Sequence, residues 1–339
     1  MKVCANCFAD REIKGFLSSS EVVGDCKICH SSSVPLVDLN EFLDFFQELI
    51  DNFEKSEHGE PLRSKIQSNW SFFSSQKAAS EILNNVLPHI NTTILSADDL
   101  VEYTSEVVDN YSHWEMVKEE LKWTKRFFIN TEYLEDLGWD GFFNTQYELK
   151  PNDKLYRARV HHASDQPVIH NYNMLCPPRE NTLGGRANPM GIPYLYLSDN
   201  EETVLYEVRA SYLDELSIGT FQLKPEFESL RIVDFTEDTS LFQPRMVTET
   251  IKARLLRDRI SIDLSKPMRR YDSEIEYIPT QFICEFIKVY TGAGGIRFRS
   301  SLHPEGKNIV LFDDNKVSCV KVEKIKIQSL KLRSIALKM

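Results

Sequence analysis

Residues 183–197, LGGRANPMGIPYLYL, carry the strongest fold signal in the chain. The two adjacent glycines permit backbone angles that other residues avoid, so a tight turn can project Arg186. The run from Pro193 to Leu197 is apolar and bounded by polar residues, which predicts a short buried strand carrying Tyr196. This stretch combines a turn that presents a cation with a strand that carries two tyrosines, although an ordinary turn and strand explain the same residues.

A helix should follow this strand, because Ser198 and Glu201 match the capping box S-x-x-E. We predict the helix over residues 200–213. Its apolar face at 3.6-residue spacing consists of Val204, Leu205, Val208 and Tyr212. Glu207 falls on the flank of that face, where a carboxylate can border a cleft without full burial.

Two C-x-x-C pairs lie within residues 1–36, namely Cys4 with Cys7 and Cys26 with Cys29. The 18 residues between the pairs match the spacing of zinc ribbons. Two such turns can direct four thiolates at one tetrahedral cation, and a segment this short would take its folding energy from the metal. We predict a structural zinc ion, with a redox pair or incidental cysteines as the alternatives and His30 as a bystander.

Composition indicates a soluble globular chain, with 42% hydrophobic and 27% charged residues. Seven cysteines, four of them in C-x-x-C pairs, favour a reducing compartment. No apolar run reaches the roughly 18 residues that a membrane span needs, and the first residues lack the apolar core of a secretory signal. We therefore expect a cytoplasmic protein without membrane contact.

Residues 37–150 are predicted to form an all-α module, because apolar residues recur there at helical spacing. The stripes consist of Leu39, Phe42, Leu43, Phe46, Leu49, Ile50 and Phe53, then Ala78, Ile82, Leu83 and Leu87, then Trp114, Val117, Leu121 and Phe128. This segment holds 22 Asp and Glu against 9 Lys and Arg, a net charge of −13. Such an acidic surface disfavours a nucleic-acid partner.

The pattern after residue 150 mixes strands and helices. Strands are expected near 155–160, 193–197, 218–223, 230–235, 308–312 and 318–333, with helices near 200–213, 247–259 and after Pro279. The last strand alternates apolar residues with Lys321, Lys324, Lys326, Lys331 and Arg333. This alternation is typical of an edge strand protected by lysines, more than of an RNA-binding patch.

The turn, strand and helix around Arg186 resemble the RES-domain family, which is named for its Arg, Glu and Ser. The family pattern corresponds to Gly184–Asn188, Pro193–Tyr196, Glu207, an opening strand at 155–157, a closing serine within 295–301 and a final strand at 308–312. The resemblance covers roughly residues 150–325, in the family's order. Ala187 stands where the family usually has tryptophan.

The resemblance implies an α+β chain in which an ADP-ribosyltransferase-like RES domain at 151–339 follows the zinc ribbon and the helical module. It implies a toxin-like or defence-like enzyme that destroys NAD by cleaving the nicotinamide–ribose bond, as a glycohydrolase or a phosphorylase. Catalytic roles fall to Glu207, Arg186 and Tyr196, and substrate-binding roles to Arg157, Asn188 and Ser300. Ser301 competes with Ser300. An Arg157–Glu207 ion pair and a core Tyr196 are the structural alternatives.

Helical segments ahead of RES domains resemble the HEPN class, some members of which cut RNA through an R-x4-6-H motif. Arg157 and His162 fit that spacing, but they fall in a predicted strand, so we expect no RNA cleavage. The implied partners are NAD and an antitoxin or other regulatory protein, and self-association stays open. The alternatives are an ADP-ribosyltransferase that modifies a protein and a catalytically inactive binding module.

Overall fold

The computed structural model describes residues 1–144, 146–163, 166–267 and 274–329. The chain separates into two compact units, Met1–Trp114 with Asp238–Leu256, and Glu115–Glu237 with Arg257–Met339. The expected boundary after residue 36 lies inside the first unit, and the one after residue 150 lies inside the second. The two compact units therefore do not coincide with the three expected domains, and the division into three domains stays a prediction.

The first unit contains helices and short antiparallel strand pairs. Its elements are β1 (Lys2–Val3), α1 (Arg11–Ser18), β2 (Val23–Gly24), β3 (Val34–Pro35), β4 (Val37–Asp38), α2 (Leu43–Ile50), β5 (Phe53–Pro61), α3 (Leu62–Trp70), α4 (Gln76–Val86), β6 (Leu100–Tyr103), the start of α5 (Ser105–Trp123) and the start of α9 (Val247–Ser265). β1 pairs with β4, β2 with β3, and β5 with β6.

The cysteine-bearing segment shares one hydrophobic core with the helices that follow it. Phe8 packs edge-on against Phe72 at 5.4 Å between ring centroids and stacks on Phe73 at 5.8 Å. Ile13 and Leu17 on α1 are fully buried in the same core. Apolar burial therefore contributes to the stability of residues 1–36, which a metal alone was expected to supply.

The all-α prediction for residues 37–150 is wrong, because β5 and β6 form an antiparallel pair within that segment. Phe53 completes a helical stripe in the sequence, but α2 ends at Ile50 and Phe53 begins β5. Gly59 permits the pairing, since a Cβ there would lie 2.4 Å from the carbonyl oxygen of Val101. Pairing with a distant strand overrides the local period.

The second unit is built on a large sheet with flanking helices. After the end of α5 it contains α6 (Thr131–Asp136), α7 (Trp139–Phe142), β7 (Gln146–Leu149), β8 (Leu155–Val160), β9 (Leu195–Ser198), α8 (Glu201–Glu207), β10 (Glu215–Leu223), β11 (Leu230–Asp234), the end of α9 (Val247–Ser265), α10 (Ile278–Thr291), β12 (Gly295–Arg299), β13 (Lys307–Leu311) and β14 (Val317–Lys326). None of the described helices is both long enough and apolar enough to span a membrane.

The sheet has eight strands in the order β14-β10-β8-β9-β13-β12-β11-β7. Its pairs are antiparallel except β11 with β12, which run parallel. β14 lies at one edge and carries Lys321, Lys324 and Lys326, which confirms the predicted lysine-bearing edge strand. Lys331 and Arg333 of that prediction lie outside the described residues.

β8 and β9 meet at one residue pair, Tyr156 with Ser198. Continued antiparallel pairing would set Ala158 opposite Tyr196, but the described strands form no such pair. The sheet therefore opens between these two strands. Helix α8 packs over β8 beside the opening, because Val204 and Ala158 share a small apolar cluster.

Helix α8 is shorter than predicted and has a different cap. Asn200 is the N-cap, and its Oδ1 accepts a 2.7 Å hydrogen bond from the Glu202 backbone N–H. Ser198 is not the cap, because it lies in β9, where its hydroxyl donates to the carbonyl of Lys307 and accepts from the Asn200 N–H, ahead of the helix. The helix ends at Glu207 rather than near 213, since Arg209 adopts a left-handed φ of 52°.

Asp10 should be a strong determinant of the stability of the first unit. Its buried carboxylate caps α1 by accepting from the backbone N–H of Glu12 and Ile13, and it also accepts from the Ser240 hydroxyl and the Leu241 N–H. Asp10→Ala leaves these donors without their acceptor, so we expect a loss of about 2–4 kcal/mol in the free energy of unfolding.

Urea denaturation followed by tryptophan fluorescence measures this loss. The matched control is Asp313→Ala, because Asp313 caps one exposed turn through a single bond to the Asn315 N–H. It should cost less than about 1 kcal/mol. Equal losses in the two variants would contradict the role of Asp10.

Candidate active site and cysteine cluster

A cavity of about 460 Å³ lies in the second unit at the opening beside β8. Four of the six residues given catalytic or substrate-binding roles line it together, namely Arg157, Arg186, Tyr196 and Glu207. Ser300 does not line the cavity but contacts Glu207. The structure thus brings cations, an aromatic ring and a carboxylate from separate elements around one space.

The turn that carries Arg186 depends on glycine for space rather than for backbone angle. A Cβ on Gly185 would lie 2.6 Å from both Asn188 Oδ1 and the Tyr196 hydroxyl. The expectation of special backbone angles at Gly184 and Gly185 is wrong, because neither has a left-handed φ. In this turn it is Gly191 that has one, at 81°.

Asn188 organises the turn from the inside. Its Nδ2 donates to the carbonyls of Leu183, Pro189 and Ile192 at 3.0–3.1 Å, and its side chain is buried. Among the described residues, the cavity lining does not include Asn188. These contacts fit a structural role better than contact with a ligand.

Tyr196 uses its hydroxyl proton within the same turn. The hydroxyl accepts from the Ala187 N–H at 2.9 Å and donates to Asn188 Oδ1 at 2.8 Å. Burial raises the pKa of this phenol above its ordinary value, so it stays protonated at neutral pH. What Tyr196 can offer a ligand is therefore its ring rather than its hydroxyl.

Arg157 and Arg186 place two partly buried guanidinium groups at the cavity. Arg157 donates to the carbonyl of Leu175, and Arg186 donates to that of Leu264. Within the described part of the chain neither forms an ion pair, so the structural alternative of an Arg157–Glu207 pair is not observed. Burial, and then the nearby Arg159, lower the pKa of Arg157 to about 10, and burial lowers that of Arg186. Such cations favour an anionic ligand.

Glu207, at the end of α8, is held by two neutral donors. Its Oε1 accepts from the Ser300 hydroxyl at 2.7 Å and from Asn308 Nδ2 at 2.7 Å. Both bonds fall on the same oxygen, so they fix the carboxylate, and among the described residues Oε2 has no hydrogen-bond partner. A carboxylate held in this way is suited to stabilise a positive charge that develops beside it.

The Ser300 side chain is oriented by the turn that contains it. Its buried hydroxyl oxygen accepts from the backbone N–H of Leu302 and His303 while it donates to Glu207. Ser301 lines the cavity instead and is exposed. Of the two serines that competed in the sequence, the structure places Ser300 against the carboxylate.

Asn308 and Tyr277 contribute to the site but were missed in the sequence. Asn308 lies in β13 just before its apolar residues. Its polar side chain at that position is the one feature of the sequence that could have indicated a site residue. Its contact with Glu207 depends on the register that sets Asn308 opposite Ser198. Tyr277 lies just before α10 and lines the cavity. Neither position follows from spacing along the chain.

The four cysteines of the N-terminal segment form a compact cluster. Their sulfur atoms all lie within 4.8 Å of one another, with 3.3 Å between Cys4 and Cys29 and 3.4 Å between Cys7 and Cys26. A tetrahedral ion with metal–sulfur bonds of about 2.3 Å requires sulfur–sulfur distances of about 3.8 Å. All four are free thiols, and three are buried. The cluster therefore has the size and chemistry to hold a metal ion.

The family model for the RES domain matches residues 154–333, more than half of the chain. No curated protein matches. A solved structure, the M. tuberculosis MbcT–MbcA toxin–antitoxin complex, is similar at 12% identity and a TM-score of 0.30, and the match covers 56% of this chain and 92% of that one.

Gly185→Ala should destabilise the second unit and distort the turn, because its Cβ would collide with Asn188 and Tyr196. Overpacking of this kind costs about 1–3 kcal/mol. Differential scanning calorimetry measures the change. Gly184→Ala is the matched control, since its Cβ would meet no atom closer than 3.6 Å. A Gly185→Ala variant as stable as Gly184→Ala would contradict the geometry of the turn.

Proposed function

Because the chain belongs to the RES-domain family, we propose that it is an enzyme that consumes NAD. The reaction is cleavage of the bond between nicotinamide and ribose, with water or phosphate as the acceptor. One observation carries the proposal. Two cations without carboxylate partners among the described residues share a cavity with a carboxylate that is held by neutral donors. This is the charge pattern that NAD would require.

NAD carries a pyrophosphate at its centre and a cationic nicotinamide at the reacting end. Arg157 and Arg186 offer planar guanidinium groups that match phosphate oxygens. When the glycosidic bond breaks, its electron pair leaves with neutral nicotinamide and the ribose becomes oxocarbenium-like. Glu207 would stabilise that positive charge and accept a ribose hydroxyl proton in a hydrogen bond. Water then gives ADP-ribose and a proton, whereas phosphate gives the phosphorylated sugar.

The other predicted site residues take supporting roles in this proposal. Tyr196 would contribute its ring to stacking, because its hydroxyl is engaged by the turn. Ser300 and Asn308 would position Glu207, and Asn188 would hold the turn that projects Arg186. An ADP-ribosyltransferase-like fold for this domain is likewise part of the proposal and rests on the family alone.

For the cysteine cluster we propose a structural zinc ion bound by Cys4, Cys7, Cys26 and Cys29. Four protein ligands close the tetrahedral shell and leave no position for a substrate. Burial raises the pKa of the Cys4 thiol to about 12. A bound zinc ion would displace such a proton, so metal binding should depend on pH. A reducing compartment, which we take to be the cytoplasm, suits these thiols.

Two other functions use the same residues. A transferase would attach ADP-ribose to a protein, since the bond broken in NAD is the same. A binding module would hold a nucleotide without turnover. Nicotinamide release without an added protein acceptor separates NAD destruction from both. Toxicity and control by an antitoxin or another regulatory protein are further proposals that rest on the family alone.

We expect the purified protein to release nicotinamide from NAD without any protein acceptor. Mass spectrometry with and without phosphate identifies the acceptor. Glu207→Gln keeps the size of the side chain but removes its charge, which should lower kcat by about 10²–10³. Arg186→Lys should mainly raise KM, because a single ammonium group cannot replace the guanidinium fork.

The control for Glu207→Gln is Glu201→Gln, an exposed residue in the first turn of the same helix, which should match the wild type. Melting temperatures verify that each variant is folded. A folded Glu207→Gln protein with wild-type turnover would remove Glu207 from the mechanism. A wild type that releases no nicotinamide would contradict NAD destruction itself.

Elemental analysis of freshly purified, reduced protein should give about one zinc ion per chain. Cys26→Ser should lose the metal and lower the melting temperature of the first unit, while Cys319→Ser, outside the cluster, should keep both. Because the segment also has an apolar core, we expect destabilisation rather than complete unfolding. Freshly purified, reduced protein that contains no zinc would contradict the proposed site.

A further inference from the structure

We propose that Lys118 and Lys122, on the second half of α5, are positioning residues for Arg186. The helix that precedes the family match at residues 154–333 would thereby set the affinity of the cavity for the anionic part of its substrate. This inference rests on the proposed function. The residues involved all belong to the second compact unit.

Arg186 is supported from the ends of two helices. Its guanidinium donates to the carbonyl of Leu264 in the last turn of α9. Its own backbone carbonyl accepts from the Thr280 hydroxyl at 2.6 Å, in the first turn of α10. The preceding carbonyl, of Gly185, accepts from Gln281 Nε2 at 2.7 Å. A shift of either helix end would therefore move the guanidinium.

Both helix ends are attached to α5 by ion pairs. Lys118 Nζ lies 2.9 Å from Oδ2 of Asp263, the residue before Leu264. Lys122 Nζ contacts both carboxylate oxygens of Glu276, at 3.0 and 3.1 Å, just before Tyr277 at the cavity. The lysine side chains are only 16% and 12% exposed. Partly buried pairs of this kind are screened little by salt, and removing one partner is costly.

The same elements enclose a second, smaller space behind the arginine. A cavity of about 120 Å³ is lined by Arg186 and Tyr277 and also by Lys118, Lys122 and their partners. Arg186 and Tyr277 therefore lie between this space and the larger cavity, where both are lining residues. Arg186 and Tyr277 thus form a wall between the two cavities. The α5 lysines lie on the side of the smaller cavity, and the substrate would lie on the side of the larger one.

The lysines are suited to hold this wall rather than to attract the substrate. The charge of Lys118 is offset by Glu115 at 2.8 Å as well as by Asp263. Glu276 offsets Lys122 and also lies 3.6 Å from Lys266. With their charges compensated, the lysines add little to the field in the cavity. Their effect would reach the substrate through the position of Arg186.

Lys122→Met keeps an apolar stem of similar length and removes the ion pair. We expect it to raise KM for NAD about tenfold and leave kcat within about twofold, because a phosphate contact that acts equally in ground and transition states affects KM. Lys122→Arg should retain wild-type values. The exchanged pair Lys122→Glu with Glu276→Lys should recover part of the loss.

The matched control is Lys252→Met, which removes a lysine of the same 16% exposure as Lys118 from an ion pair with Glu106 in the first unit. It should leave KM unchanged. A general loss of stability would lower the melting temperature in both variants but would not separate KM from kcat. Lys118→Met tests the second attachment, so the proposal does not depend on one variant folding.

A double-mutant cycle decides whether Arg186 transmits the effect. The ligand for calorimetric titration is ADP-ribose, which keeps the pyrophosphate but lacks nicotinamide. In the wild-type background, Lys122→Met should weaken its binding about tenfold. In the Arg186→Ala background, the same Lys122→Met substitution should cause little further loss. Additive losses, or wild-type binding by Lys122→Met, would overturn the inference while leaving the proposed function intact. A wild type that neither binds ADP-ribose nor releases nicotinamide would overturn both.

Discussion

The eight-stranded sheet is continuous across β8 and β9 through one residue pair, Tyr156 with Ser198. Where strands part, backbone groups lose their ladder partners and must find others. Here Ser198 also joins β9 to β13, since its hydroxyl donates to the Lys307 carbonyl and its backbone pairs with Asn308. The remaining gap is where Arg157 and Tyr196 reach the cavity. The site thus depends on how far this pairing continues.

The charges in the cavity are arranged so that they do not neutralise one another. Glu207 is held by the neutral donors Ser300 and Asn308, while Arg157 and Arg186 rest on backbone carbonyls. Ion pairing between these groups would satisfy them without a ligand. Keeping them apart costs folding free energy but leaves each charge available for a substrate. The separation of these charges is therefore the feature that suits the cavity to bind a charged substrate.

Local chemistry in the sequence was enough for the order of the turn, strand, helix and glutamate, and for the sulfur cluster. β8 follows the residues predicted for it, and α10 begins where Pro279 indicated and ends at left-handed Gly292. What could not be predicted depends on distant partners. The β5–β6 pair, the contact of Asn308 with Glu207 and the attachment of Asp10 to Ser240 join residues far apart in the chain. The periodicity of the sequence carries no information about contacts between residues so far apart.

A crystal structure of the Glu207→Gln variant with NAD would test this account most directly, because the variant should bind the substrate but consume it much more slowly than the wild type. We predict the pyrophosphate between Arg157 and Arg186, the nicotinamide ribose beside residue 207, and the nicotinamide against the ring of Tyr196. The ion pairs from Lys118 and Lys122 should stay intact. NAD bound elsewhere, or with its pyrophosphate away from both arginines, would contradict the account.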